Sequence, residues 1–456
     1  MLADKYYVMS YCPNCRRLQR EVENLRREVA ALREELRRGK RQAAPFARDK
    51  PKADPKPPGR KPGHPAAFRS TPPPEAITET LQVPLTQCPH CGGPVEHVQD
   101  NAPVFETDLP ALKPVSRRFD TQSGWCPRCR RRVRSRHPGQ TSSAAGAARS
   151  HVGPHAAALA ADLKHRLGLP FRKVVDLFHS YFGIDITAGA LAQASQRLAR
   201  LAQPAYQHLQ QQLRASKAVH ADETGWRIGG SSAWLWDFAT PELTLYVIRP
   251  SRAHQVVEEV LGQRFPGVLV SDGLPTYDAV YPARRQLCLA HLIRRATDLE
   301  KVQTRRAVRF PRAVSRVLQQ ALALKTRSPM LSAHGLAVAR GRIERALDRL
   351  LCYHRLNAEN EKFAAHLFKH RDHLFTFLDH PGVAATNNLA ERQLRPAVVA
   401  RKLSAGNRSQ RGAHTHAVLA SLAATCRQQG RRFTELAAAL LCQPAPAQTS
   451  LLPLLA

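Results

Sequence analysis

Residues 217–273 read KAVHADETGWRIGGSSAWLWDFATPELTLYVIRPSRAHQVVEEVLGQRFPGVLVSDG. Three β-type runs come first: KAVHAD, AWLWDFAT and LTLYVIRP. HQVVEEVLGQRF then has helical spacing, and GVLVSDG is a short apolar run ending at Asp272 and Gly273. Three strands, a helix and a fourth strand predict a mixed sheet covered by helices. On this reading Asp222 and Asp272 each stand just past a strand end, where open sheets gather their functional groups.

Two aspartates held side by side repel one another unless cations neutralise them. Hard oxygen ligands select Mg²⁺ or Mn²⁺, and a pair of such ions can activate a hydroxyl and stabilise a departing phosphodiester oxygen. Pattern alone equally allows two unrelated acids that cap turns. A third acid lies in TNNLAERQLRPAVVARK (386–402), where Glu391 opens a predicted helix with Arg392 and Arg395 close by. Its simplest reading is a solvated helix with a Glu391–Arg395 pair one turn apart. Glu223, directly after Asp222, is a fallback ligand, although adjacent strand residues face opposite sides.

The remainder of the 456-residue chain points to a polyanionic partner. Sixty-nine Lys+Arg oppose 36 Asp+Glu, a net charge of +33 spread along the whole length. Such a surplus repels itself unless nucleic acid meets it. No run of about 18 apolar residues appears and the first residues lack a signal-peptide layout, so a soluble, cytoplasmic protein is expected, without a membrane span.

Residues 16–38 repeat Leu18, Leu25 and Leu32 seven apart, with Val22, Val29 and Leu36 between them. That predicts either a coiled coil joining copies of the chain or an amphipathic helix docked on its own chain. Residues 41–80 are rich in Pro, Lys and Arg and read as an extended linker. Over 81–140, Cys88/Cys91 and Cys126/Cys129 form two CxxC pairs 34 residues apart. They suit tetrahedral structural zinc in a ribbon, with Gly92 and Gly93 permitting the turn and short strands between the pairs. A further pair, Cys12/Cys15, is either a metal pair or two free thiols. Over 141–214, FRKVVDLFHSYFG and AGALAQASQRLARLA read as helices, with Gly183 ending the first and Thr187 capping the second. Either helix–turn–helix DNA reading or plain helical packing fits them. Trp226, Trp234 and Trp236 serve either a core or a DNA-facing ledge.

At HADETGWRI, VSDGLPTY, CLAHLIR and NNLAERQLRPAVVARK the chain resembles the transposases of the insertion-sequence-sixty-six family, within the ribonuclease-H-like Asp-Asp-Glu group. The resemblance covers most of the chain, since that family also begins with a Leu-repeat helix, a basic linker and paired CxxC motifs. It implies a multidomain α+β protein: coiled coil (1–40), linker, zinc ribbon, helical region, and a ribonuclease-H-like α/β core over 215–430. The second and third acids are 119 residues apart, so an all-helical insertion over about 300–380 would interrupt that core, and 431–456 would be a short tail. It further implies that Asp222, Asp272 and Glu391 hold two Mg²⁺ or Mn²⁺ ions, and that the reaction is DNA cleavage and strand transfer at insertion-sequence ends. Double-stranded DNA, copies of the chain and accessory proteins of the same element are the implied partners, at the bacterial nucleoid. Arg401, Lys402 and Arg408 are candidates for the DNA backbone. Cys288 and His291 match a CxxH of the family and are expected to be a helix pair without metal. The alternative is a catalytically inactive or domesticated DNA-binding protein descended from a transposase.

Overall fold

The computed structural model describes residues 18, 21–30, 71–109, 112–141, 151–279 and 281–442. These fall into two units, Met1–Pro110 and Ala111–Ala456. In the first unit, residues 21–30 are helical, and Val22, Leu25 and Val29 of the predicted heptads are exposed. Leu32 and Leu36, most of the linker, and Cys12/Cys15 lie outside the described residues. Cys88 opens a knuckle in which its N–H donates to the Gly93 carbonyl (2.8 Å) and the Gly92 N–H donates back to Cys88 (2.9 Å). Gly92 has φ +72°, the left-handed conformation expected of that turn.

In the second unit, β1 (Ser123–Cys126) and β2 (Arg131–Arg134) form an antiparallel hairpin whose turn holds Cys129. Short strands are expected throughout the segment before it, but among the described residues only Ser123–Cys126 pairs. The rest is exposed and has no partner strand to satisfy its backbone. Helices follow: α1 (Pro154–His165), α2 (Phe171–Phe182), α3 (Ala188–Leu201) and α4 (Gln203–Ala215). Gly183 ends α2 at φ +61°, and the Thr187 hydroxyl accepts the Ala190 N–H at 3.1 Å to cap α3. Val174, Phe178, Leu191, Ala160 and Leu163 form a small core among α1, α2 and α3.

The central sheet is built from β3 (Ala218–Ile228), β4 (Ser231–Ala239), β5 (Thr244–Arg249), β6 (Arg264–Ser271) and β7 (Tyr281–Leu287), in the order β5-β4-β3-β6-β7. β3, β4 and β5 pair antiparallel as a meander, whereas β6 and β7 join parallel to β3. α5 (Gln255–Leu261) crosses from β5 to β6, and the one-turn α6 (Pro275–Asp278) leads to β7. The segment YPARRQL has neither alternation nor β-branched residues, so β7 is not evident in the sequence. Its place follows from the open edge of β6.

Helices alone connect β7 to the end of the domain. They are α7 (Leu289–Val302), α8 (Arg309–Arg327), α9 (Ala333–Leu351), α10 (Ala358–Lys369), the short α11 (Thr376–Asp379), α12 (Asn388–Ser404), α13 (Gln410–Gln428) and α14 (Phe433–Cys442). Strand alternation divides the sheet between two cores. Val219, Ala221, Trp236, Phe238, Leu245 and Val247 pack among α1, α4, α5 and α14. On the opposite face Trp226, Leu235, Tyr246 and Ile248 meet Leu394, Ala397 and Ala400 of α12 and Ala413 and Ala417 of α13. α7 to α11 close a third core against Val268, Val270 and Leu287. The region beyond 430, read as a short tail, contributes α14, which buries Phe433, Leu436, Leu440 and Leu441. No helix among the described residues is long and apolar enough to cross a membrane.

Candidate functional site

β3 and β6 run in register only from Ala218↔Val268 to His220↔Val270, and then part. Asp272 stands immediately after β6, as expected. Asp222 does not stand past a strand end: β3 continues to Ile228, because pairing with β4 carries the strand onward after β6 has diverged. Both aspartates nevertheless flank the mouth opened by that divergence, at the switch from antiparallel to parallel neighbours.

Charge is concentrated at Asp222. Burial, then the negative charges of Glu223 and Asp272, push its carboxyl up to about 7, although it accepts the Glu223 N–H at 2.9 Å. His291 pulls in the opposite direction. Asp272 is shaped by an Asx-type turn, its Oδ1 accepting the Leu274 N–H at 3.0 Å. Gly273 must be small: a Cβ there would lie 2.7 Å from the His366 ring on α10. Glu223 is committed elsewhere, to Arg252 at 2.6 Å and to the Tyr277 hydroxyl at 2.7 Å. Arg252 itself lies over Trp234.

The third acid arrives on a clamped helix. Asn387, fully buried before the start of α12, donates its side-chain N–H to the Ala221 carbonyl (2.8 Å). That carbonyl adjoins the point where the ladder to β6 ends. The Asn387 Oδ1 meets His220 Nδ1 at 3.2 Å, and its backbone N–H donates to Cys288 Sγ at 3.1 Å. Burial lowers His220 to about 4, so its ring is neutral at pH 7. At the far end of α12, Arg401 donates to Thr224 Oγ1 (3.1 Å) and to the Gly225 carbonyl, and the Asn407 N–H donates to Arg227 O at 2.9 Å. Gly406, at φ +97°, permits that approach, since a Cβ would meet Arg227 O at 2.4 Å. Pro396 interrupts the backbone bonding of α12, and buried Tyr246 donates its hydroxyl to the adjacent Gln393 carbonyl at 2.5 Å.

On α12, Glu391 faces His291 of α7, with Nε2 and Oε1 3.6 Å apart. The Glu391 Oε1 and the His291 Nδ1 are buried without a hydrogen-bond partner. Cys288, the residue before α7, completes the group: ligand atoms of Cys288, His291 and Glu391 all lie within 4.8 Å of one another. The Cys288 sulfur raises the His291 pKa most, against burial, and Glu391 adds to the rise. Burial pushes the Cys288 thiol up, but His291 and the Asn387 N–H outweigh it and hold the thiol below its usual value. The expected simple CxxH helix pair is therefore joined by an acid from a distant segment, a meeting that local spacing does not reveal.

Asp237 is a further carboxyl that sequence reading passes over. It pairs across strands with Asp222, is fully buried, and has no partner for either oxygen. Burial, then the charge of Asp222, holds its pKa well above the usual carboxylate range. In AWLWDFAT it shares a face of β4 with Leu235, and the register puts it directly opposite Asp222. Lys402 and Arg408 are on exposed positions after Arg401. Trp226 and Trp236 are core residues, and Trp234 is partly buried beneath Arg252.

Residues 149–415, more than half of the chain, match the model of the transposase IS66 family. This chain belongs to that family. Among curated proteins, the uncharacterized protein y4jD of Sinorhizobium fredii (strain NBRC 101917 / NGR234) is 25% identical over 291 residues, 58% of this chain. The chain spans 57% of that protein's length. The family match takes in all five strands of the central sheet, the Cys288–His291 pair, Glu391 and the end of α12.

Proposed function

We propose that this IS66-family chain is a DNA transposase whose Asp222, Asp272 and Glu391 carry divalent-metal-dependent phosphodiester cleavage and strand transfer at insertion-sequence ends. The observation that carries the reading is electrostatic. Asp222 and Asp272 repel across the mouth between β3 and β6, and Glu391, on the helix that Asn387 ties to β3, has a carboxylate oxygen with no hydrogen-bond partner. A cation would relieve both, and all-oxygen donors suit Mg²⁺ or Mn²⁺. Two such ions, when bound, supply activation of the attacking hydroxyl and stabilisation of the leaving oxygen. The protein's own contribution is to hold the acids: Asp222 within a paired strand, Asp272 through its turn to Leu274, and Glu391 through the Asn387 clamp. An antiparallel meander joined by two parallel strands supports a ribonuclease-H-like core, with α7 to α11 as its helical insertion.

The same proposal takes Cys88, Cys91, Cys126 and Cys129 as structural zinc ligands, and the 16–38 helix as the means of pairing copies. Lys402 and Arg408 would meet the DNA backbone, while Arg401 chiefly fixes α12 to β3. The test is Mg²⁺-dependent nicking and strand transfer on an oligonucleotide carrying the element's end. Activity should disappear in Asp222→Ala, Asp272→Ala and Glu391→Ala with DNA binding retained. A wild-type protein that binds tightly and never nicks, even with the element's accessory proteins, would instead support a domesticated DNA-binding protein.

A further inference from the structure

We infer that Cys288, His291 and Glu391 form a second metal site, selective for a thiophilic divalent ion such as Zn²⁺, and that it shares Glu391 with the acidic site. Two helix starts create it. Cys288 and His291 are three residues apart at the beginning of α7, which sets both side chains on one face of the first turn. Glu391 lies in the first turn of α12. The two starts are held together by backbone bonds: Leu289 N–H donates to Ala385 O at 3.0 Å, and Asn387 N–H donates to Cys288 Sγ at 3.1 Å. Cys288 N–H in turn donates to Ser271 O at 2.9 Å, so β6 supports the group from below.

Three features point to an ion. The donor atoms already lie within 4.8 Å of one another, so small side-chain adjustments bring them to the separations of a tetrahedral site. Buried atoms on two of the three residues, His291 Nδ1 and Glu391 Oε1, have no hydrogen-bond partner, which is costly unless something else meets them. The donor set is thiolate, imidazole and carboxylate, which favours zinc over magnesium, and three protein ligands leave a fourth position for water or a phosphate oxygen. Sharing Glu391 has a consequence, which rests on the proposed catalytic role of that residue. An ion held by Cys288 and His291 competes for the carboxylate that the Mg²⁺ site needs, so zinc should antagonise magnesium-supported cleavage.

Binding and activity are tested separately on the full-length chain. Zinc stoichiometry and affinity are measured by equilibrium dialysis for wild type, Cys288→Ser, His291→Ala and Glu391→Gln. The knuckle cysteines are left in place so that any metal they hold is common to all four proteins. Thermal melts identify any variant that fails to fold, and His291, whose side chain is partly exposed, provides the mildest replacement. The expected result is the loss of one zinc equivalent, or at least about a hundredfold weaker binding of it, in the Cys288 and His291 variants. Co²⁺ substitution should add a thiolate-to-metal absorption band that Cys288→Ser lacks. Equal stoichiometry, affinity and Co²⁺ spectra in wild type and every folded variant would overturn the site. Where nicking is present, zinc should inhibit it in wild type, and undiminished nicking with the site filled would overturn the sharing of Glu391. Zinc bound at the site in a protein that never nicks would sustain the site and count against the catalytic reading alone.

Discussion

Replacing Asp222 with asparagine should make the metal-free protein more stable at neutral and alkaline pH while abolishing cleavage. The carboxyl is lifted from 3.8 to about 7 by burial and by the charges of Glu223 and Asp272. Below about pH 4 it is protonated in folded and unfolded chains alike and costs nothing. Between about 4 and 7 the unfolded chain ionises while the folded one does not, so stability falls as pH rises. Above about 7 the folded protein carries the charge and the loss is complete. Three pH units at about 1.4 kcal/mol each set a ceiling of about 4 kcal/mol. Asp222 is only partly screened from water, which brings the expected gain for Asp222→Asn to about 1–3 kcal/mol. Asparagine keeps an oxygen to accept the Glu223 N–H, so little else changes. Urea unfolding of wild type and variant at about pH 5 and about pH 8, with chelator present, measures the effect. The variant should gain on wild type by about a third of the full amount at about pH 5 and by the full amount at about pH 8, and Mg²⁺ in place of chelator should stabilise wild type by about 2.7 kcal/mol at hundredfold excess over its Kd. A variant no more stable than wild type at about pH 8, or a difference that does not vary with pH, would refute the reasoning.

Asn387→Ala should destabilise by about 2–4 kcal/mol, because it strands the Ala221 carbonyl and the His220 ring in a buried position; denaturant melts read the loss. Gly273→Ala should cost about 1–3 kcal/mol by pressing on His366, and the added His366→Ala should restore most of it in a double-mutant cycle. Lys402→Ala and Arg408→Ala should each weaken DNA binding regardless of sequence and reduce the slope of log affinity against log salt by about 1, measured by fluorescence anisotropy. Cys126→Ser should lower the zinc that a chelator releases from the full chain, as expected of a structural ligand.

Residues whose neighbours alone determine their conformation were readable in advance. Gly183, Thr187 and Gly92 belong to this class, since a left-handed turn or a cap is set within a few residues. The strand character of β3 to β6 was likewise visible in runs of Val, Leu, Trp and Tyr. What stayed hidden depends on distant partners. β7 has no strand pattern of its own and is recruited by the edge of β6. The end of β3 was misplaced because Asp222 and Glu223 look like a break, whereas the β4 partner carries the ladder past them. Asp237 became notable only once register set it against Asp222. The Cys288–His291–Glu391 group needed two helix starts about a hundred residues apart to be brought together, and a spacing rule cannot anticipate that.

The attachment of α12 to β3 at both ends bears on how the protein is made. The bond from Asn387 to Ala221 closes a loop of 166 residues, and nearly all of that intervening chain must be synthesised and folded before it can form. Closing so long a loop adds only a modest entropic cost, rising by about 0.6 kcal/mol per doubling of length, but it delays the event. A nascent chain that has emerged only as far as α11 still lacks α12 and α13, which cover one face of the sheet, and α14, which packs against the other. Asp222 lies on the face that α12 covers, so that face stays open until α12 has emerged. A product truncated before α12 would therefore leave that face of the sheet, Asp222 included, without its covering helix.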